Sequence, residues 1–220
     1  MFAIKRIAVD HFRIPLPLAL SDSTHGEITH FGLVTVRLTD AQGREGLGYT
    51  YTVNNIGAAA VLKLIEQDLA ESILSSSSDS IEAFWEEMWW HVHFVGRGGL
   101  AAFAMAAVDI ALWDLRAKTV NKPMWRLLGG DRCEVKAYAG GIDLDFTLDQ
   151  LLAQAEGFLA QGFQAIKMKV GRDVLEQDID RVQAMRKFVG SDFPLMADAN
   201  MRWTVDQAVK AATALASCGL

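Results

Sequence analysis

Ala165-Ile-Lys-Met-Lys-Val-Gly171 has the length and spacing of a short strand, yet it carries two lysines. Side chains alternate along a strand, so Ile166, Met168 and Val170 share one face and Lys167 and Lys169 the other. The flanking segments show what kind of sheet this strand joins. Val135 to Gly140 reads as a strand, and Leu148 to Ala160 as a helix stopped at Gly162. After the lysine strand come a helix from Val174 to Phe188, stopped at Gly190, and a strand from Pro194 to Ala199. A helix from Val205 to Ser217, stopped at Gly219, closes the series. Strands alternating with helices at intervals of about thirty residues mean βαβ units on a parallel sheet.

Both faces of such a sheet are normally covered, and its strands read as continuous apolar runs. Lysine is almost never fully buried without a partner. The bland reading of the pair is an edge strand with a wet face. Pro194-Leu-Met-Ala-Asp-Ala-Asn200 is the next strand. Alternation puts Met196, Asp198 and Asn200 on one face, with Asp198 and Asn200 at the C-terminal tip. Active sites of barrels and open α/β sheets lie beyond the C-terminal strand ends. An aspartate there suits a hard cation. Its bland alternative is a helix cap, a role that Thr204 fills better.

Upstream the pattern changes. Ile4 to Ile14 has strand character and ends at Pro15 and Pro17, and Phe31 to Thr39 alternates as a second strand. Asp40 to Gly43 is a turn, and Gly46 to Tyr51 returns as a third strand. Ser21 to Thr29 between the first two is polar and reads as a mobile loop, as does Thr52 to Gly57. Helices are expected from Ala58 to Leu74, then from a cap at Asp79 or Ser80 to about Trp90. Leu100 to Lys118 is apolar nearly all round and reads as a central buried helix. Asp109 within it and Asp114 and Arg116 near its end argue against a membrane span.

The chain has 220 residues, 51% hydrophobic and 22% charged, with a net charge of -6. That allows one large or two modest domains. No clustered basic face points to nucleic acid. Cys133 and Cys218 lie far apart and read as two reduced thiols of a cytoplasmic protein. The N-terminus lacks the apolar run of a signal peptide.

KMKVG and ADAN, with twenty-nine positions from Lys169 to Asp198, together resemble the enolase superfamily. GRGGLAAFAMAAVDIALWDLRAK, PMWRLLGG and YAGG agree in order. The nearer resemblance is to the branch of mandelate racemases, muconate cycloisomerases and acid-sugar dehydratases. It implies an α+β N-terminal capping domain, residues 1–130, followed by the first part of a (β/α)7β TIM-like barrel, residues 131–220. About three βα units of that barrel are present. It implies Mg²⁺ held by three carboxylates, of which Asp198 resembles the first and the others would follow Leu220. Lys169 resembles the general base and Lys167 its partner on the substrate carboxylate. Asn200 matches a position that helps the metal or the substrate. The loops around Ser21 to Thr29 and Thr50 to Gly57 resemble two lid loops, with His25, Thr24 and Tyr51 as candidates for substrate contact. The expected partner is a small carboxylate substrate, with no nucleic acid, no membrane and a homo-oligomer at full length.

The chemistry fits these residue types. Deprotonating carbon beside a carboxylate builds an enediolate dianion, which cations stabilise. Two ammonium groups about 6–7 Å apart repel by ~2–3 kcal/mol at an effective dielectric near 20. That would bring a lysine of the pair from ~10.4 toward ~8. Dehydration of a sugar acid is the favoured reaction, then racemisation or epimerisation, then cycloisomerisation. A fragment without the remaining barrel is expected to be inactive and to bind Mg²⁺ weakly. A Schiff-base lysine enzyme is a further alternative. Trp85, Trp89 and Trp90 are expected to pack between domains, and His91, His93, Asp109, Asp114 and Arg97 to be structural.

Overall fold

The computed structural model describes residues 3–78 and 80–220. The chain divides into two compact units. One comprises Met1–Pro15 with His30–Cys133, the other Leu16–Thr29 with Glu134–Leu220.

The antiparallel sheet has the order β1 (Ile4–Asp22), β2 (Gly26–Asp40), β3 (Glu45–Val53). β1 does not end at Pro15 and Pro17 but runs on to Asp22. It is an edge strand, where one side of the backbone needs no partner and a missing N–H costs little. The segment expected as a loop, Ser21 to Thr29, is therefore mostly strand, with only residues 23–25 turning. At the other turn, Asp40 Oδ1 accepts the N–H groups of Gln42 and Arg44, both at 2.9 Å. Arg44 Nε donates to Oδ2 at 2.7 Å. These bonds outweigh the burial of the carboxyl and hold Asp40 below its ordinary pKa.

The helices of the first unit are α1 (Ala58–Lys63), α2 (Ala70–Ser75), α3 (Ile81–His91), α4 (Leu100–Thr119) and α5 (Met124–Leu127). α1 and α2 are joined by a π-helical stretch, Leu64–Leu69, so the run read as one helix carries an irregular centre. Ser80 caps α3, its hydroxyl accepting the Ala83 N–H at 3.1 Å; Asp79, the other candidate, lies outside the described residues. Leu112, Leu115, Met105 and Val108 of α4 are buried with Val34, Val36 and Leu38 of β2. Phe103 and Ile110 remain partly exposed, so α4 is buried along one broad face and not all round. Arg97 stacks its guanidinium over the rings of Trp89 and Trp90, at 4.5 and 4.8 Å. Among the described residues no helix is long and apolar enough to cross a membrane.

α4 lies directly on the backbone of β3. A Cβ at Gly46 would stand 2.2 Å from the carbonyl oxygen of Ala111, and one at Gly48 2.0 Å from that of Ala107. Glycine is what lets helix and strand backbones meet here.

The second unit holds the parallel sheet β4 (Ala139–Gly140), β5 (Ile166–Lys169), β6 (Leu195–Asp198) in that order. The strand expected from Val135 is only two residues long, and Val135 is 92% exposed. Helices α6 (Leu148–Ala160), α7 (Leu175–Val189) and α8 (Val205–Leu215) alternate with the strands as expected. Thr147 and Thr204 each form a reciprocal cap with the glutamine three residues on. That leaves Asp198 free of the capping role. Ile166, Met168 and Val170 are buried with Leu151, Val182, Met185 and Leu195 in this unit's core.

Gly48→Ala should lower the stability of the first unit by about 1–3 kcal/mol, because the clash is with helix backbone that cannot rotate away. Urea denaturation of both proteins measures it; an unchanged midpoint would show that α4 does not sit on β3 this closely.

Candidate active site

β5 and β6 pair in register, Ile166 with Leu195 through Lys169 with Asp198. That register brings the lysine face of β5 beside the aspartate tip of β6. Lys169 Nζ lies 2.8 Å from Asp198 Oδ2, and Lys167 Nζ lies 3.2 Å from the same oxygen. Lys169 also donates to Asn200 Oδ1. The Lys169 side chain is 7% exposed, whereas those of Lys167 and Asp198 are 26% and 31% exposed. The two lysines are thus neither on a wet face nor unpartnered.

Asp198 divides its oxygens between two tasks. Oδ2 takes the ammonium groups, and Oδ1 accepts the Asn200 N–H at 3.0 Å. Asn200 and Met201 both adopt left-handed backbone, with φ of 48° and 62°. Asparagine tolerates this conformation better than most residues. Burial would raise the Asp198 pKa, but hydrogen bonds from Lys169, the Asn200 backbone and Lys167 reverse that and lower it from 3.8 to about 2. For Lys167, burial favours the neutral amine; the hydrogen bond and charge of Asp198, with a smaller contribution from Tyr138, outweigh it and raise the pKa. A carboxylate 3.2 Å away counts for more than a second ammonium at longer range.

The hairpin tip belongs to this unit. Thr24 donates its hydroxyl to the carbonyl of Asn200, and Ser23 donates to that of Ala199 at 2.6 Å. His25 Nδ1 lies 2.9 Å from Asp22 Oδ2, and its ring is partly exposed. The structure therefore brings Lys167, Lys169, Asp198, Asn200 and Thr24 together, with His25 one residue further along the tip. Thr24 spends its hydroxyl on backbone. Tyr51 lies in the other unit, 55% exposed beside Leu47 and Tyr49 on the outer face of β3, with its ring edge-on to Phe31 at 5.5 Å.

Two contributors were not foreseen. Tyr138 presents its ring to Lys167, with Nζ 5.3 Å from the centroid. Its place just before the short strand gave the only sequence hint. Behind Lys169 lies a buried charged set, Asp143, Asp178 and Arg181, all under 5% exposed. Burial raises the pKa of Asp143 despite the Lys169 N–H and the Arg181 charge. Three charged residues at that depth were unsignalled by any local pattern.

As a cation site, the cluster offers a single ionised hard carboxylate at a strand end. Among the described residues no three metal-binding side chains converge. Magnesium prefers several oxygen ligands in near-octahedral geometry, so Asp198 fits as one member of such a set and not as the whole of it.

Comparison with known proteins agrees with this geometry. Residues 4–129 match the mandelate racemase/muconate lactonizing enzyme N-terminal domain, and residues 150–220 the enolase C-terminal domain-like family. The chain belongs to the mandelate racemase/muconate lactonizing enzyme family of the enolase superfamily. It is 54% identical over 97% of its length to a 3,6-anhydro-alpha-L-galactonate cycloisomerase of Streptomyces coelicolor, of which it covers 59%. A crystal structure of a racemase from Streptomyces coelicolor A3(2) with bound magnesium superposes with TM-score 0.96 at 53% identity, over 99% of this chain and 60% of that one. L-talarate dehydratase from Polaromonas sp. JS666, complexed with Mg and L-glucarate, superposes with TM-score 0.88 at 29% identity, over 98% and 59%. The chain thus spans about three-fifths of the length of these relatives.

The folded-state pKa of Asp198 lies below its unfolded value, so its stabilising contacts are complete above about pH 4 and lost as pH falls toward 2. A ¹³C NMR titration of the Asp198 carboxyl should show a midpoint near 2. A midpoint at the ordinary 3.8 would mean the lysines are not engaged.

Proposed function

We propose that this chain carries the proton-abstracting half of a magnesium-assisted active site acting on a sugar-acid carboxylate. The observation that carries the reading is the convergence of Lys167 and Lys169 on Asp198 at the C-terminal ends of adjacent parallel strands. Lys169, in its neutral amine form, is the group that accepts the α-proton and becomes the ammonium. It is the more buried of the two, and Asn200 Oδ1 and Asp198 fix its Nζ. Water is largely excluded from it, which keeps the acceptor oriented toward one donor carbon. Lys167, more exposed and held charged, offers its ammonium to the substrate carboxylate as negative charge builds there. A magnesium ion, with Asp198 among its ligands, would supply further stabilisation of that charge. Thr24 and Ser23 hold the loop after β6 from the hairpin side, and His25 is the tip side chain available to hydroxyls at the far end of a substrate.

After α-proton loss the favoured outcome is β-elimination of a hydroxyl, a dehydration. A second reading rests on the 54% identical relative. A 3,6-anhydro sugar acid carries an ether oxygen on the carbon β to its carboxylate. After the same first step the bond from the β-carbon to that oxygen breaks and the ring opens; the oxygen takes up a proton and stays in the molecule as a hydroxyl, giving cycloisomerisation. The two reactions share Lys169 and differ only in the leaving group.

The test uses a polypeptide that contains these residues and spans the full length of the relatives. It should release a 2-keto-3-deoxy acid from a galactarate-type or 3,6-anhydro-galactonate-type substrate with Mg²⁺, and in D₂O the deuterium should enter the product at the carbon β to the carboxylate, where the enol takes up its proton. Lys169→Met should reduce turnover by at least about 10³-fold, the loss of an essential general base. Retention of turnover by that variant would contradict the assignment. The 220-residue chain alone should show no turnover and should bind Mg²⁺ only weakly by calorimetry, because one carboxylate cannot replace a full ligand set.

A further inference from the structure

Asp143 takes no part in the cluster around Asp198, yet it holds the backbone that carries Lys169. It is 1% exposed. Its Oδ1 accepts the Lys169 N–H at 3.0 Å and faces Arg181 at 3.2 Å. β4 pairs with β5 as far as Gly140 opposite Lys167, and the Gly141 N–H makes the last backbone bond, to the Lys167 carbonyl at 2.7 Å. Beyond that point the chain of β4 turns away, and the Asp143 side chain serves the next donor of β5 in its place. The preceding Gly141 leaves the room, since a Cβ there would stand 1.9 Å from Asp143 Oδ2.

The same loop grips the hairpin. The Ser21 N–H donates to the carbonyl of Ile142, and the Leu144 N–H to the carbonyl of Ser21, both at 3.1 Å. The Asp145 N–H donates to Ser21 Oγ at 2.8 Å. From the other side, Arg181 reaches the carbonyls of Asp143 and Phe146 at 2.9 and 2.8 Å. Arg172 reaches that of Leu144. The hairpin tip then continues to Ala199 and Asn200 through Ser23 and Thr24. One tip thus binds the loops on both sides of Lys169.

We propose that Asp143 is a positioning residue, which fixes the end of β5 and with it Lys169 to the seated hairpin tip. The inference deepens the reading of Lys169 as the proton acceptor and rests on it. A buried carboxylate hydrogen-bonded on one side and ion-paired on the other is held in a single geometry. Removing it releases a backbone donor at the strand end and takes from Arg181 the carboxylate it is ion-paired with, leaving Asp178 and Asp145 as its remaining acidic neighbours.

Amide hydrogen exchange on the 220-residue chain, read residue by residue by NMR, tests it. In Asp143→Ala the Lys169 N–H should exchange at least about tenfold faster, while Val182 and Met185 in the core of the unit stay protected. Asp143→Asn keeps an acceptor and should restore Lys169 to within about threefold of the original. Ser21→Ala removes only the hydroxyl under the Asp145 N–H, and should speed exchange at Lys169 as well as at Asp145. An unchanged Lys169 rate in Asp143→Ala, or a rise shared by Val182 and Met185, overturns the proposal. So does a Lys169 rate unmoved by Ser21→Ala, which decides the matter alone if Asp143→Ala does not fold. These rates do not depend on Lys169 being a base. If they move as expected while Lys169→Met keeps its turnover, the base assignment fails and the positioning stands; the reverse pattern sinks only the positioning.

Discussion

One carboxylate oxygen accepts two ammonium groups at the ends of adjacent parallel strands, and the second unit is arranged around that contact. Lys169 would not be tolerable on β5 without it, since an uncompensated charge at that depth is strongly unfavourable. Asp198 in turn is kept ionised by the same pair. Once Lys169 has taken up the α-proton, two ammoniums stand against one carboxylate. That excess is what a carboxylate substrate, gaining negative charge as it loses a proton, would meet.

The register of β5 on β6 delivers this geometry, and loops deliver the rest. Pairing Lys169 with Asp198 places both at the strand tips. The left-handed backbone at Asn200 then turns its amide oxygen back onto Lys169. The hairpin tip holds the far side of that loop, and Asp143 with Arg181 holds the near side of β5. Rigid support of this kind is what positions reacting groups to within fractions of an ångström.

Much of this was legible in the sequence because period-two alternation is a local signal. It put Lys167 and Lys169 on one face and Asp198 on a matching one before any pairing was known; Asn200, counted with Asp198 on the same alternation, lies beyond β6 in left-handed backbone. The βαβ rhythm and its glycine stops likewise marked α6, α7 and α8 to within a few residues. What was misjudged depended on neighbours distant in sequence. Pro15 and Pro17 look like strand ends until β1 is known to be an edge. Ser21 to Thr29 looks like a free loop until its polar groups are seen spent on Ile142, Leu144, Ala199 and Asn200. Val135 looks like a strand residue because it is β-branched, but among the described residues the strand starts only at Ala139. Asp143 and Arg181 meet across 38 positions, and no spacing rule reaches that far. The raised pKa of Lys167 followed from the same blindness, as repulsion within the strand was visible and the strength of the cross-strand partner was not.

The most direct measurement is a crystal structure of the chain without magnesium, at a resolution that fixes the lysine side chains. Both Nζ atoms should lie within hydrogen-bond distance of the Asp198 carboxylate, with Lys169 also on the Asn200 side-chain oxygen. Electron density that carries either ammonium into the helix layer or out to bulk water would contradict the account.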